Sequence, residues 1–194
     1  MNSRIKQQID FLKEIDKLKH IERKIKLNGR KLFETDAEHA WHVAMFVLLF
    51  EKDLPKFDVA KTLKIILIHD LVEIYAGDTF AYDKLGKSNQ KEREKKAAKK
   101  LFSQLPQQIE KELWQLFLEF ENKASKEAKI ADSFDKLQPI LQNILNGGQS
   151  WKKYNVSIND IDSYKRPSMI HDKIMMEIYE SFLKDIEKKK LAKK

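Results

Sequence analysis

The chain has 194 residues, no cysteine and a formal net charge of +8. That length suits one domain spanning 1–194, and the lack of cysteine excludes a disulfide framework, as expected of an intracellular, cytoplasmic protein. No apolar run is long enough to span a bilayer, and the amphipathic start MNSRIKQQIDF lacks the apolar stretch of a signal peptide, so no membrane is expected as a partner. The positive charge raises nucleic acid as a partner. Nearly all of the excess is Lys, however, concentrated in Lys91–Lys100 and Lys184–Lys194. Those segments mix Lys with acidic residues and hold no interleaved aromatic ring, so they read as solvated helix faces, and no nucleic acid is expected.

Gly and Pro are scarce, and the pattern is helical almost throughout. Ile5, Ile9, Leu12, Ile15 and Leu18 recur at three- and four-residue spacing and predict a first amphipathic helix. Asp36 is placed to cap a second, Ala37 to about Glu51, apolar nearly all the way round and therefore expected to be central and buried. Asp58 caps a third that runs to about Tyr75, before Gly77. Ser88 opens a charged fourth, to about Gln104, and Pro106 suits the first turn of a fifth, to about Asn122. Ser125 caps a sixth that ends near Asn146 against Gly147-Gly148. Trp151 to Pro167 reads as irregular, and Ser168 is placed to cap the last helix, to about Leu191. No segment alternates convincingly with period two. The expected fold is an all-α, compact multi-helix bundle, with its core over about 18–151 and a C-terminal helix over about 169–191.

The chemistry concentrates in ILIHDLVEIYAGDTF. His69 and Asp70 sit inside an apolar run, where an ionised carboxylate is costly unless it is paired, hydrogen-bonded or metal-bound. On a helix, residues three and four apart share a face, so Glu73 can converge with His69 and Asp70. Asp78 follows Gly77, where the helix ends, and can fold back over the same spot. A second cluster is Glu38-His39-Ala40-Trp41-His42, in which both His39 and His42 are placed to face inward. His42 reads as structural, since it has no neighbouring carboxylate of its own. His20 and His171 read as ordinary, partly exposed residues, and Trp41 and Trp151 as core or interface. A third cluster holds Asp132 and Asp135. One His, a His-Asp pair and a distant Asp make a four-ligand cage with positions open to water and substrate, which suits a hydrolytic divalent metal.

These residues carry a family resemblance. EHAWH, IHDLVEIYAGD and FDKLQPIL resemble the HD-domain metal-dependent phosphohydrolases, over roughly Leu18 to Trp151 and in the right order. The extended motif HDxxExxxGD, met by His69, Asp70, Glu73, Gly77 and Asp78, is similar to the bacterial 5′-deoxynucleotidase branch. The resemblance implies His39, His69, Asp70 and Asp135 as ligands of one divalent metal ion (Mn, Co, Fe, Ni or Zn). It implies Glu73 as general acid or base, Asp78 as the group that positions water or sugar, and an Arg ahead of the first His that holds the phosphate, here Arg23 or Arg30. It also implies a nucleotide substrate and a homodimer. Helical phase leaves Asp132 and Asp135 both off the apolar stripe of the sixth helix. Lys129 and Lys136 flank Asp132, whereas Ala131 and Gln138 border Asp135, which therefore better suits a pocket wall. The resemblance agrees, since the distant Asp of that family begins a segment like Asp135-Lys136-Leu137.

The activity so implied is release of phosphate from nucleoside 5′-monophosphates, deoxyribonucleotides foremost. The alternatives are an HD enzyme that cleaves a nucleotide diester or a guanosine polyphosphate, and a non-catalytic nucleotide-binding module.

Overall fold

The computed structural model describes residues 2–193. Helix α1 covers Ser3–Ile15 and leads into a 3₁₀ turn, Asp16–His20. A hairpin follows, of β1 (Glu22–Lys26) and β2 (Phe33–Thr35), paired antiparallel. The remaining helices are α2 (Asp36–Phe50), α3 (Val59–His69), α4 (Glu73–Ala76), α5 (Lys84–Lys87), α6 (Gln90–Phe102), α7 (Gln107–Glu121), α8 (Lys126–Leu145), α9 (Gln149–Lys153), α10 (Ile158–Lys165) and α11 (Lys173–Lys189). Helix α8 runs through the centre and packs against α2, α3, α7 and α11. No helix among the described residues is long and apolar enough to cross a membrane.

Local capping explains most of the boundaries. Asp58, Ser125 and Asp172 each accept backbone N–H bonds at the start of α3, α8 and α11. At α2 the cap is Thr35, one residue earlier than expected. Its hydroxyl accepts from Glu38 N (3.3 Å), and Glu38 Oε2 accepts from Thr35 N (2.8 Å), a reciprocal capping box. Asp36 is thereby released from capping duty and turns fully inward. The last helix is likewise capped by Asp172 rather than Ser168, and α6 begins two residues after Ser88, preceded by the short α5.

Four expectations need correction. The hairpin departs from the all-helical pattern, although its signals are present: Asn28-Gly29 is a turn pair, and Arg23 and Ile25 alternate with the exposed Glu22 and Lys24. Helix α2 is not buried all round. Val43, Phe46 and Val47 face the core, while Trp41 is 64% and Leu49 71% exposed. The apolar stripe of α1 also divides: Phe11 and Leu18 are buried, but Ile5, Ile9 and Leu12 are exposed. Finally, Trp151 to Pro167 is largely helical, because Ser157 and Asp160 form a second capping box that opens α10.

The turn from α8 into α9 depends on glycine. Gly148 has φ of +70°, and a Cβ there would run into the Leu191 carbonyl. Gly148→Ala combines left-handed backbone cost with a clash against main chain, and is expected to destabilise the fold by about 2 kcal/mol or more. Thermal unfolding of the variant checks this.

Candidate active site

Helix α3 ends at His69, and a 3₁₀ turn, Asp70–Val72, joins it to α4. In a 3₁₀ turn residues three apart eclipse, which brings Glu73 over Asp70 more directly than the continuous α-helix expected. His69 Nδ1 lies 2.7 Å from the Ile66 carbonyl. A carbonyl only accepts, so Nδ1 carries the proton and the Nε2 lone pair points away from the helix. His69 Nε2 is buried with no hydrogen-bond partner. It faces Asp70 Oδ1 at 3.2 Å and Asp135 Oδ1 at 3.5 Å.

His39 arrives from the buried face of α2 and is fully buried. Its Nδ1 donates to Gln138 Oε1 (2.7 Å), and Gln138 Nε2 in turn donates to Glu34 Oε1 (2.6 Å). That relay aims His39 Nε2 at Asp135 Oδ1 (2.9 Å) and toward Asp70 Oδ2 (3.8 Å). Thus His39, His69 and Asp70 bring ligand atoms within 4.8 Å of one another, and Asp135 Oδ1 faces both imidazoles. Burial pushes His39 down to about 4. At His69 burial opposes protonation as well, but the Asp70 and Asp135 carboxylates outweigh it and hold the imidazole well above its ordinary value. Burial opposes ionisation of Asp135, yet Lys136 and the two imidazoles hold it well below the usual carboxylate range. The field at this point demands a positive charge. Two imidazole nitrogens and two carboxylates, three of the four residues buried and Asp70 partly so, with one nitrogen unpartnered, fit a borderline divalent cation.

A second acidic group adjoins the first. Asp36, Glu73 and Asp78 bring carboxylate oxygens within 4.8 Å of one another. Gly77, at φ of +75°, ends α4 and turns Asp78 back over the cluster. Arg23 projects from β1 between the two groups, with its Nη1 3.0 Å from both Asp36 Oδ1 and Asp70 Oδ2. Burial and the nearby Asp70 and Asp36 carboxylates push Glu73 well above its ordinary value, and Asp36 itself is raised to about 7, mainly by burial. Glu73 Oε2 has no partner.

Both groups open on a cavity of about 160 Å³. Arg23, His69, Asp70, Glu73, Asp78 and Asp135 line it. His39 lies behind them. Arg30 is exposed in the connection between β1 and β2 and does not reach the cavity. Asp132, one helical turn before Asp135, pairs instead with Lys123 at 2.7 Å. His42 is half-buried, with its Nδ1 3.2 Å from Gln138 Nε2. His20 is exposed, and His171 contacts Ser133 Oγ at 2.7 Å, remote from the cluster in role.

Several cavity residues escaped sequence reasoning. Lys136, Tyr164 and Lys165 line one wall, and Phe80, Tyr82 and Trp151 add an aromatic surface. Arg93 clamps the loop after Gly77, donating to the Ala76 carbonyl, to Thr79 Oγ1 (2.8 Å) and to the Gly86 carbonyl (3.2 Å). Arg93 sits in a Lys/Glu-rich helix and looks like one more solvated charge. The adjacency of Lys136 to Asp135 was the available signal for a cationic wall.

A helical bundle that gathers imidazoles and carboxylates at one buried point, beneath a polar cavity, defines a metal-dependent hydrolase as the class. Known proteins agree. The HD domain family model matches residues 15–177. The 5′-deoxynucleotidase HDDC2 of Dictyostelium discoideum is 32% identical over 141 residues, 69% of this chain and 74% of that protein. The human 5′-deoxynucleotidase HDDC2 is 28% identical over 69% of this chain and 65% of its own length. Among solved structures, a predicted metal-dependent phosphohydrolase from Magnetospirillum magnetotacticum superposes with a TM-score of 0.92 at 33% identity, covering 100% of both chains. The chain belongs to the HD-domain family of phosphohydrolases. Site and structural neighbour together support a divalent metal as its cofactor.

Proposed function

We propose that the protein is a metal-dependent phosphomonoester hydrolase that releases phosphate from nucleoside 5′-monophosphates, with deoxyribonucleotides preferred. The observation that carries this reading is the unpartnered His69 Nε2, buried and aimed at two carboxylates, with the unpartnered Glu73 Oε2 beside it. The names of the HDDC2 relatives support the substrate class. His39, His69, Asp70 and Asp135 are the proposed ligands of one ion of the Mn, Co, Fe, Ni or Zn type. Such an ion supplies Lewis acidity toward water and phosphate oxygens.

The residues of the chain do the rest. Arg23, held by Asp36 and Asp70, offers its remaining guanidinium donors to the phosphate. Glu73, kept protonatable by burial and like charge, takes a proton from water or delivers one to the leaving 5′-oxygen. Asp78, over the cavity, positions water or the sugar edge. A pocket shaped to a bare C2′ position rejects a 2′-hydroxyl by crowding it or leaving it unpaired.

A phosphate-release screen tests the reading. Chelated protein should be inactive, and Mn²⁺, Co²⁺ or a similar ion should restore turnover. Deoxyribonucleoside 5′-monophosphates should be hydrolysed faster than their ribonucleoside counterparts. Full activity without metal overturns the metal role; equal rates overturn the deoxyribonucleotide preference, and a preference for diesters overturns the monoester reading.

We also propose that 1–194 forms one cytoplasmic domain that pairs as a homodimer. The exposed Ile5, Leu12, Trp41, Leu48 and Leu49 are apolar surface that a second copy would cover. Light scattering on the eluted protein measures the oligomeric state.

A further inference from the structure

Lysine is rarely buried without a partner, because its ammonium loses water that nothing replaces. The charged side chains of this cavity mostly obey that rule. Arg23 is bound to Asp36 and Asp70, and Lys136 Nζ donates to Asp135 Oδ2 at 2.7 Å. Lys165 does not. It closes α10, is 5% exposed and lines the cavity, yet its ammonium makes no ion pair or hydrogen bond to the side chains or carbonyls of the described residues.

Its surroundings add more positive charge than negative: Lys136, Arg23 and Lys87 act on it against the single opposing carboxylate of Asp135. The Tyr164 ring has Lys87 Nζ 3.6 Å from its centroid, Lys165 Nζ at 5.3 Å and Lys136 Nζ at 5.4 Å. Three ammonium groups therefore gather round one aromatic ring, whose face compensates a fraction of their charge. Burial, and then the like charge of Lys136, hold Lys165 well below the ordinary lysine range, so an arriving anion would relieve both. An apolar side chain at 165 would fill the same space at lower cost. A lysine kept there suits a ligand that brings negative charge.

We infer that Lys165, with Lys136 beside it, is the seat for the monoester phosphate of the substrate in this cavity. The inference rests on the phosphohydrolase reading and deepens it, since it assigns the phosphate oxygens to a lysine wall on α8 and α10 in addition to Arg23. A tetrahedral dianion suits this wall. Ammonium groups bind phosphate as point charges and need no fixed planar geometry. Lys136 also links the seat to the candidate metal cluster, since its ammonium pairs with Asp135 and all three residues line the same cavity.

The test uses the full-length, metal-loaded protein and inorganic phosphate as the probe, measured by titration calorimetry at equal metal content. Lys165→Met is expected to weaken phosphate binding by roughly ten- to a hundred-fold, the range for one charge-assisted hydrogen bond. The KM for a nucleoside monophosphate should rise in parallel. The melting temperature without phosphate should stay level or increase, because a buried amine without a partner has been replaced by an apolar side chain of similar length. Lys165→Arg should recover part of the affinity. If the Met variant does not fold, Lys165→Gln provides the same comparison with a neutral polar side chain. Wild-type phosphate affinity and KM in Lys165→Met or Lys165→Gln overturn the seat, whatever the enzyme hydrolyses. A wild-type protein that binds phosphate through Lys165 but cleaves no monoester leaves the seat standing and overturns the activity reading alone.

Discussion

Asp135→Ala is expected to yield protein without bound metal and without phosphohydrolase activity, whereas Asp132→Ala keeps most of both. The two acids lie one turn apart on α8 and are about equally buried, so burial does not separate them. Their partners do. Asp135 Oδ1 faces the Nε2 atoms of His39 (2.9 Å) and His69 (3.5 Å), whose other ring nitrogens are already committed to Gln138 and to the Ile66 carbonyl. Removing that oxygen takes one of two carboxylates from the cluster. Asp132 faces Lys123, whose side chain is 47% exposed. Pairs with an exposed lysine contribute about 1 kcal/mol or less, so Asp132→Ala should cost little stability. Asp135→Ala also strands the Lys136 ammonium, so Asp135→Asn, which keeps the shape, distinguishes loss of metal from loss of fold. Elemental analysis with circular dichroism on the purified variants decides the matter. Metal lost from Asp132→Ala and kept by Asp135→Ala would reverse the assignment.

Glu73→Gln is the second large effect. The substitution keeps size and hydrogen bonding but removes the group that gains and loses a proton. Turnover should fall by roughly 10²- to 10⁴-fold if Glu73 is the general acid or base. Metal content should hold, because Glu73 belongs to the group with Asp36 and Asp78 rather than to the one with His39, His69 and Asp70. Stability carries an independent sign. The folded state raises Glu73 well above its ordinary value, first through burial, then through Asp70 and Asp36. An acid raised in this way opposes folding increasingly as pH rises above its unfolded value, so at neutral pH the Gln variant should melt no lower than wild type. Loss of metal in the variant would place Glu73 among the ligands, and unchanged turnover would remove it from proton transfer.

Much of this site is readable along the chain, because its parts are local. Asp58, Ser125 and the Gly147-Gly148 pair announce α3 and the limits of α8, since caps act within one turn. His69, Asp70, Glu73, Gly77 and Asp78 lie within ten residues, and their crowding in an apolar run signals a site before any fold is known. What remained hidden depends on approaches between distant segments. His39 meets Asp135 across 96 residues, which no periodicity can report. Helical phase left Asp132 and Asp135 equivalent, and only the packed helices give them different partners, His39 and His69 for Asp135 and Lys123 for Asp132. The β1–β2 hairpin directs Arg23 into the cavity and carries Arg30 out of it, although both are basic residues ahead of His39. Lys165 follows the same logic. In the sequence it is one more lysine in a chain rich in them, and burial against Tyr164 and Lys136 is what makes it unlike the rest. Short-range backbone chemistry writes caps and motifs into the sequence, whereas the meeting of side chains from separate helices is a product of the packed core, and that meeting selects which of several eligible charges enters the site.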